Sequence, residues 1–429
     1  MIINFIHNEK DSFTPNTVDI TLDYSNSEKM RYTFWQDNFI PKNWYSKAAI
    51  DFLYISLSVY AADRLCPRKS GLDSWSRNLK LYIPVLDCEL WNNNKSIVEE
   101  MLNFLSGDSW TLEFRQRSFN EAEKIYKSKW EKKKDEFKEY DKVCMFSGGL
   151  DSYIGAIDLL ETKKCEEKIL FVSHYGGGKG TKEYQDYLIR KFSEKYDLSE
   201  NDFQQFYAAV VNGVEETTRT RSIMFFAHAI ALASTFGKKT TLIIPENGLI
   251  SLNIPLTFSR IGTSSTRTTH PFYMKKLQEL MNLVGLPIII KNPYQFKTKG
   301  EMILECNGQT FMKQNISHTM SCSHPDVGRH RGEKSAMHCG YCLPCVIRKA
   351  AFKKANIVDS SPYYDADFKK VDIAQYNLNS YRQGLMKYDP KYIFMTIQKN
   401  GPISDNIDEY AKLYQRGISE LKEYIEGLF

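Results

Sequence analysis

The stretch Val143-Cys144-Met145-Phe146-Ser147-Gly148-Gly149-Leu150-Asp151-Ser152 decides how the chain is read. Four apolar residues in a row are too few for a helix and read as a buried strand. A loop of Ser and Gly follows, and residues 153–160 then carry a helical pattern. Outward from this unit the alternation continues, with strands at 169–173, 206–211 and 240–245 and helices at 184–196 and 222–236. Strands separated by helices of this length predict an α/β fold, a parallel sheet with helices on both faces. In such sheets ligands bind beyond the carboxyl ends of the strands, which is where the 147–152 loop would lie.

The residue types in that loop suit phosphate. Gly148 and Gly149 permit backbone angles that turn N–H groups inward and let phosphate oxygens approach closely. Ser147 and Ser152 add hydroxyl donors, and the helix start after Leu150 adds a favourable dipole of about 0.3–1 kcal/mol. Asp151 would repel a bare phosphate, so beside one it organises the turn or a Mg²⁺ ion. The run is not a Walker A loop, which needs Gly-Lys-[Ser/Thr] at its end. A second glycine-rich stretch, residues 176–181, has Gly where Ser or Thr should follow Lys179. It reads as a loop after the second strand, and whether it touches nucleotide is open.

Composition bounds the rest. At 429 residues the chain has room for two to four domains. No run approaches the roughly 18 apolar residues of a membrane span, so an integral membrane protein is not expected. The N-terminus has no basic region and no small-residue cleavage site, so no secretory signal is expected. A net charge of +5, from 57 Lys and Arg against 52 Asp and Glu, does not call for nucleic acid as a partner. Nine cysteines without a signal point to a reducing cytoplasm rather than to a disulfide framework.

All six tryptophans lie at or before Trp130, which suggests a separate N-terminal module. Residues 1–120 read as an α+β domain, with strands at 18–24, 30–35, 79–86 and 110–114 and helices at 47–66 and 95–105; no chemistry attaches to it. Residues 121–141 are dense in Lys and Glu and read as a solvated connecting helix. The α/β unit spans 142–358, and 359–429 forms a helical extension. Its last helix, 407–428, carries Ile407, Tyr410, Ala411, Tyr414, Ile418, Leu421, Ile425 and Leu428 on one stripe, a core-packing pattern.

Four cysteines crowd together. Cys322 is followed after sixteen residues by Cys339-Gly-Tyr-Cys342-Leu-Pro-Cys345. Four soft ligands at this spacing match tetrahedral Zn²⁺, and a closed Cys₄ site is structural rather than catalytic. An iron–sulfur cluster is the competing metal. His318, His324, His330 and His338 lie in the same region and read as polar loop residues, any one of which could replace a cysteine.

Residues 147–152 after an apolar strand resemble the PP-loop of the N-type ATP pyrophosphatases. That resemblance implies cleavage of ATP between its α- and β-phosphates, with the loop holding the departing pyrophosphate. Thr319-Met320-Ser321-Cys322, with the His338–Phe352 run that contains the other three cysteines, is similar to the end of the QueC (7-cyano-7-deazaguanine synthase) family. Tyr175-Gly176 with Lys182-Glu183, Arg221-Ser222, and Thr298-Lys299-Gly300-Glu301 resemble further segments of that family in order. The likeness covers about 142–358, roughly half the chain.

QueC enzymes adenylate the carboxylate of 7-carboxy-7-deazaguanine with MgATP and let ammonia attack, and a second activation gives the nitrile. The resemblance therefore implies ATP, Mg²⁺ and structural Zn²⁺, and a 7-deazaguanine substrate. It places Ser147, Gly148, Gly149, Leu150, Asp151 and Ser152 on the pyrophosphate. Asp151, Arg221 and Lys299 become candidate catalytic residues, and Tyr175, Gly176, Glu183 and Glu301 candidate substrate contacts. Arg221 and Lys299 have surface salt bridges as the alternative, and Glu301 could be a plain helix-start acid.

The sequence also departs from the family. Residues 246–271 replace a short acidic substrate loop with a hydroxyl-rich, basic stretch, so Arg260, Arg267 and His270 would meet a larger or more acidic acceptor, or else form an exposed loop. The 322–339 gap is wider, and the two ends are extra. These additions resemble the enlarged QueC-like proteins of bacterial anti-phage operons, such as QatC and its counterpart in type IV CBASS. That likeness implies an acceptor amine on a partner protein from the same operon, docked by the extra domain. A free-standing nitrile synthase using ammonia, a tRNA-directed PP-loop enzyme with Cys306 as sulfur carrier, and a non-enzymatic binding module remain open.

Overall fold

The computed structural model describes residues 1–7, 11–36, 39–71, 73–176, 179–216, 219–253, 256 and 267–428. Its strands are β1 (Ile2–Ile6), β2 (Ile20–Asp23), β3 (Met30–Tyr32), β4 (Asn78–Val85), β5 (Ser109–Gln116), β6 (Lys142–Met145), β7 (Ile169–Tyr175), β8 (Phe203–Val210), β9 (Thr240–Ile243) and β10 (Ile288–Lys291). The apolar run before the glycine loop lies in β6, which pairs in parallel with β7 on one side and β9 on the other. Val143 and Cys144 are fully buried, which explains a strand without alternation, since both faces are covered.

The larger sheet has the order β10-β9-β6-β7-β8-β3. From β6 the chain moves out through β7 and β8, then returns to β9 on the other flank. The strand order reverses at β6, and this switch point opens a crevice above the carboxyl ends of β6 and β9. Helices Leu150–Thr162, Lys179–Tyr196, Arg221–Ala233 and Pro271–Leu283 make the crossovers. The 179–196 helix starts five residues earlier than its apolar pattern predicts. Gly180 sits within it because Ala336 and Pro325 approach so closely that a Cβ there would stand 2.9 Å from the Ala336 Cβ. The last strand, β10, and the helix before it have no counterpart in the sequence reading.

The N-terminal part forms a second sheet, β2-β1-β4-β5. Every described pairing in it is parallel, so it is an α/β arrangement rather than the α+β domain expected from the sequence. It is not a free-standing module. The helix Lys47–Leu65 is buried along nearly its whole length and packs on helix Arg221–Ala233 of the α/β unit. One hydrophobic cluster runs from Ile3 through that interface to Ile288. β3, from the tryptophan-rich segment, pairs antiparallel with β8 and completes the larger sheet. A helix that is apolar all round must be covered on all sides, and one four-stranded sheet cannot do that.

Helix Glu121–Lys133 is solvated on most of its surface, as its charge predicts, but its inner side docks. Asn120 and Glu123 form a capping box, and the Trp130 Nε1–H donates to the Pro41 carbonyl at 2.8 Å. At the other end, helix Ile407–Glu426 packs on Leu343–Lys354 and Gly248–Ser251. Among the described residues, no helix is long and apolar enough to cross a membrane.

The junction of the two sheets is locked by buried charge. The Asp63 carboxylate accepts from Arg77 at 2.6 Å on one oxygen. Its other oxygen accepts from the Arg219 N–H, Thr220 N–H and Thr220 hydroxyl at 2.7–3.0 Å, just before helix Arg221–Ala233. Asp108 pairs with Arg68 and Arg77, and all four side chains are at most 3% exposed. Removing one member of a buried ion cluster strands the others, so Asp63→Ala should cost about 3–5 kcal/mol. Urea denaturation of the full chain measures this, and a loss below about 1 kcal/mol would show that the cluster does not lock the junction.

Candidate active site

Gly148 lies at φ +80°, a left-handed conformation that costs a side-chain-bearing residue about 1–2 kcal/mol. A Cβ there would also meet the Gln185 Cγ at 2.9 Å. The turn it permits folds the loop over the start of helix Leu150–Thr162. Its N–H groups are held by hydroxyls: Ser147 N–H by Ser152 Oγ at 3.2 Å, Gly149 N–H by Ser147 Oγ at 3.3 Å, and Leu150 N–H by Ser321 Oγ at 3.1 Å. Gln185 anchors the loop from below by donating to the Ser147 carbonyl at 3.0 Å.

A cavity of about 280 Å³ lies against this loop, lined among others by Ser147, Asp151, Asn247, Lys299, Ser321 and Cys322. Asp151 and Lys299, far apart in sequence, meet in it. The Lys299 Nζ stands 2.7 Å from one Asp151 carboxylate oxygen, and both side chains are at most 7% exposed. The Asn247 side chain donates to the other oxygen at 2.7 Å and its backbone N–H at 3.2 Å. Burial pushes the Asp151 carboxyl up, but Lys299, with Asn247 and Glu246, outweighs it and holds the group below the usual carboxylate range. The pair is thus a fixed salt bridge at the mouth of the 147–152 loop.

Lys299 is placed by its helix. Thr298 caps helix Lys299–Glu305, and Glu301 completes the capping box. The C-terminal helix then clamps this turn: the Thr298 hydroxyl donates to Glu420, and Arg416 donates to Glu301 at 2.6 Å and to the Phe296 carbonyl at 2.7 Å. Glu301 is therefore a helix-start acid and does not line the cavity.

The four cysteine sulfurs lie within 4.8 Å of one another, the one such His/Cys/Asp/Glu cluster among the described residues. Tetrahedral Zn–S bonds of about 2.3 Å give sulfur–sulfur edges of about 3.8 Å. The Cys322–Cys342 and Cys339–Cys345 pairs stand at 3.8 and 3.9 Å, far too long for disulfides. Backbone N–H groups of His324, Cys339 and Cys342 point at the sulfurs, at 3.1–3.3 Å. Gly340 turns the knuckle at φ +91°, where a Cβ would fall 2.0 Å from the Asp365 carbonyl oxygen. Cys322, Cys339, Cys342 and Cys345 would hold zinc as a closed, structural site. His338 stands outside this four-residue group; its Nε2 pairs with the Thr319 carbonyl at 3.0 Å, and its Nδ1 faces the Cys345 Sγ at 3.8 Å.

Other expected residues fall elsewhere. His270 is fully buried as the N-cap of helix Pro271–Leu283, its Nδ1 accepting from the Phe272 N–H at 3.2 Å. A ring spent on a cap is not a substrate contact. Arg267 donates to the Phe104 carbonyl at 2.7 Å and stacks on that ring, tying the segment to the N-terminal part. From this stretch Thr268 and Thr269 reach the cavity instead. Glu183 is exposed and pairs with Arg329 at 2.6 Å. Tyr175, Gly176 and Arg221 gather at the ends of β7 and β8, with Gly176 against the Arg221 guanidinium, outside the cavity lining. Arg260, Gly177 and Gly178 lie outside the described residues. The sequence reading gave no role to Asn247, Ser321 or Gln185; Ser321 stood in a segment marked only by its family likeness, and Asn247 and Gln185 are single polar residues with no spacing to mark them.

Comparison with known proteins agrees with this geometry. Residues 264–356 match the family model described as "Queuosine biosynthesis protein QueC". The chain is 25% identical over 250 residues to a protein of Rickettsia prowazekii (strain Madrid E), covering 52% of this chain and 98% of that one. It is 28% identical over 242 residues to one of Rickettsia canadensis (strain McKiel), with 52% and 98% covered. With one of Rickettsia akari (strain Hartford) it shares 28% over 152 residues, 34% of this chain and 56% of that protein, so there the chain spans little more than half the relative. All three relatives bear the name 7-cyano-7-deazaguanine synthase.

Two outcomes test the site. Purified protein should carry one zinc per chain by elemental analysis. Stripping it should also weaken ATP binding, because the segment before Cys322 props the loop; iron with visible absorption would overturn the assignment. Lys299→Met should cost about 3 kcal/mol of stability by leaving Asp151 buried without its ion partner, and about 10²–10³ in ATP cleavage. Adding Asp151→Asn should recover part of the stability, and strict additivity in urea denaturation would show the two are not coupled.

Proposed function

The chain is a QueC-like family protein, and from that premise we propose that its cavity adenylates the carboxylate of 7-carboxy-7-deazaguanine and passes the acyl group to an amine on a partner protein. The observation that carries the first half is the Asp151–Lys299–Asn247 cluster facing the 147–152 loop in one cavity. A carboxylate oxygen attacks the α-phosphorus of ATP, the bond to the bridging oxygen breaks, and pyrophosphate leaves. The amine nitrogen then attacks the acyl carbon, AMP departs, and the amine gives up a proton.

This chain's residues supply binding and charge. The pyrophosphate oxygens displace the Ser147, Ser152 and Ser321 hydroxyls as acceptors of the loop N–H groups, the freed hydroxyls can turn to donate to it, and Lys299 adds an ammonium fixed in place before substrate arrives. Donors held in place before the charge develops lower the barrier more than anything else such a site can offer. Asp151 and Glu246 are the carboxylates lining the cavity, and their hard oxygens suit a Mg²⁺ ion, which would neutralise charge on the polyphosphate. The tRNA-thiolation reading finds no support, since burial pushes the Cys306 thiol up to about 12 and a protonated thiol is a poor sulfur carrier.

What supports a protein amine is the added chain: the N-terminal sheet and the C-terminal helices both reach the α/β unit, the latter clamping Lys299. A second reading, ammonia as acceptor and a free nitrile as product, is favoured by relatives named for that synthase and matched over 98% of their length. Incubating the protein with MgATP and 7-carboxy-7-deazaguanine, with and without ammonia, separates them. The expected outcome is AMP and pyrophosphate without free amide or nitrile, and a mass gain on a polypeptide acceptor once one is supplied. Accumulation of free nitrile would assign the second reading, and no AMP under any condition, acceptor included, would sink both.

A further inference from the structure

The edge of the larger sheet farthest from β10 is open. The bonds Thr33 N–H to Tyr207 carbonyl, 3.0 Å, and Val211 N–H to Lys29 carbonyl, 2.9 Å, fix the phase of the β3–β8 ladder. In that register Arg31 faces Ala209 as a bonded pair, so Met30 and Tyr32 turn their main-chain groups outward. The Met30 N–H is taken by the Asn26 carbonyl at 3.0 Å. The Tyr32 N–H and C=O have no partner among the described residues.

A slot of about 640 Å³ lies against this edge. Tyr24 and Trp35 line its base, Ala122 and Ile125 of helix Glu121–Lys133 face it, and Tyr207 stands at its rim. The base is rigid. The Tyr54 hydroxyl receives Trp35 Nε1–H at 3.0 Å and Asn120 Nδ2–H at 2.7 Å, and pairs with the Tyr32 hydroxyl at 3.0 Å. Ile125 is 64% exposed beside the slot.

We propose that this slot binds an extended segment of a partner polypeptide, which adds a strand to β3 through Tyr32 and sets apolar side chains on Trp35, Tyr24 and Ile125. An unpaired donor and acceptor on one strand residue is the pattern that strand addition satisfies, and the pockets beside it select alternate side chains. The slot and the 147–152 cavity have separate linings, and the β7–β8 end of the sheet lies between them. The Tyr207 ring lies 5.4 Å from that of Tyr175 at the end of β7, and Gly176 and Arg221 follow. β3 and β6 are three strand spacings apart, about 14 Å, which about five extended residues span. A segment docked on β3 and reaching toward the 147–152 loop would pass Tyr175, Gly176 and Arg221. The direction of that route rests on the protein-amine reading above; the slot does not.

The probe is a displayed library of twelve-residue peptides, selected on the full chain and resynthesised. Enriched peptides should alternate apolar residues, and Ile125→Glu, an exposed change, should weaken them at least about tenfold while leaving AMP formation intact. N-methylating the alternate amides that face β3 should abolish binding, whereas methylating the other set should not. Failure to enrich any peptide, or binding indifferent to both changes, overturns the proposal. If peptides bind in the slot but are never acylated, the acceptor reading falls and the docking site stands. If a polypeptide is acylated whatever the state of Ile125 and its own amides, the reverse holds.

Discussion

The Met320 N–H donates to the Gly148 carbonyl at 2.8 Å, and the neighbouring Ser321 hydroxyl receives the Leu150 N–H. Through these two bonds a segment more than 150 residues away in sequence sets the shape of the 147–152 loop. The segment is itself placed by Cys322, one residue on. A four-sulfur site is a stiff, short-range constraint, and the props it holds are only as exact as the loop they support. The four-cysteine cluster thus bears on a loop it does not touch, by fixing where Ser321 stands.

A second constraint comes from the opposite wall. Lys299 and Asp151 are nearly fully buried, and an ion pair there is retained only with its remaining bonds satisfied. Asn247 meets that need for Asp151, while the helix cap at Thr298 and the clamp by Arg416 and Glu420 hold the backbone that carries Lys299. Burial raises the Glu420 carboxyl to about 7, and the clamp sets it beside the ion pair of Arg416 and Glu301. The C-terminal extension is therefore part of the active-site framework rather than an appendage.

The N-terminal part is bound to the same framework by the shared core and by the Asp63 cluster at the start of helix Arg221–Ala233. Arg219, Arg221 and the end of β7 consequently keep a fixed relation to β3. An added sheet that merely hung from the chain would leave that relation free, and the slot at the β3 edge would bear no constant geometry to the cleft.

The glycine-rich 147–152 turn, the alternating strands and helices and the four cysteines were legible in the sequence, because each is a local pattern of adjacent or closely spaced residues. The parallel sheet follows from connection lengths, and the metal site from ligand count. Nothing local tells Asn247 from any other asparagine, or shows that His270 is spent on a cap, that Glu301 answers to Arg416, or that β3 crosses into the other sheet. Those outcomes depend on which surfaces meet. The sequence by itself determined the kind of site and the residues that could hold phosphate and metal; only the tertiary structure decided which charges share the cavity, because burial and partnering are properties of packing between segments distant in the chain.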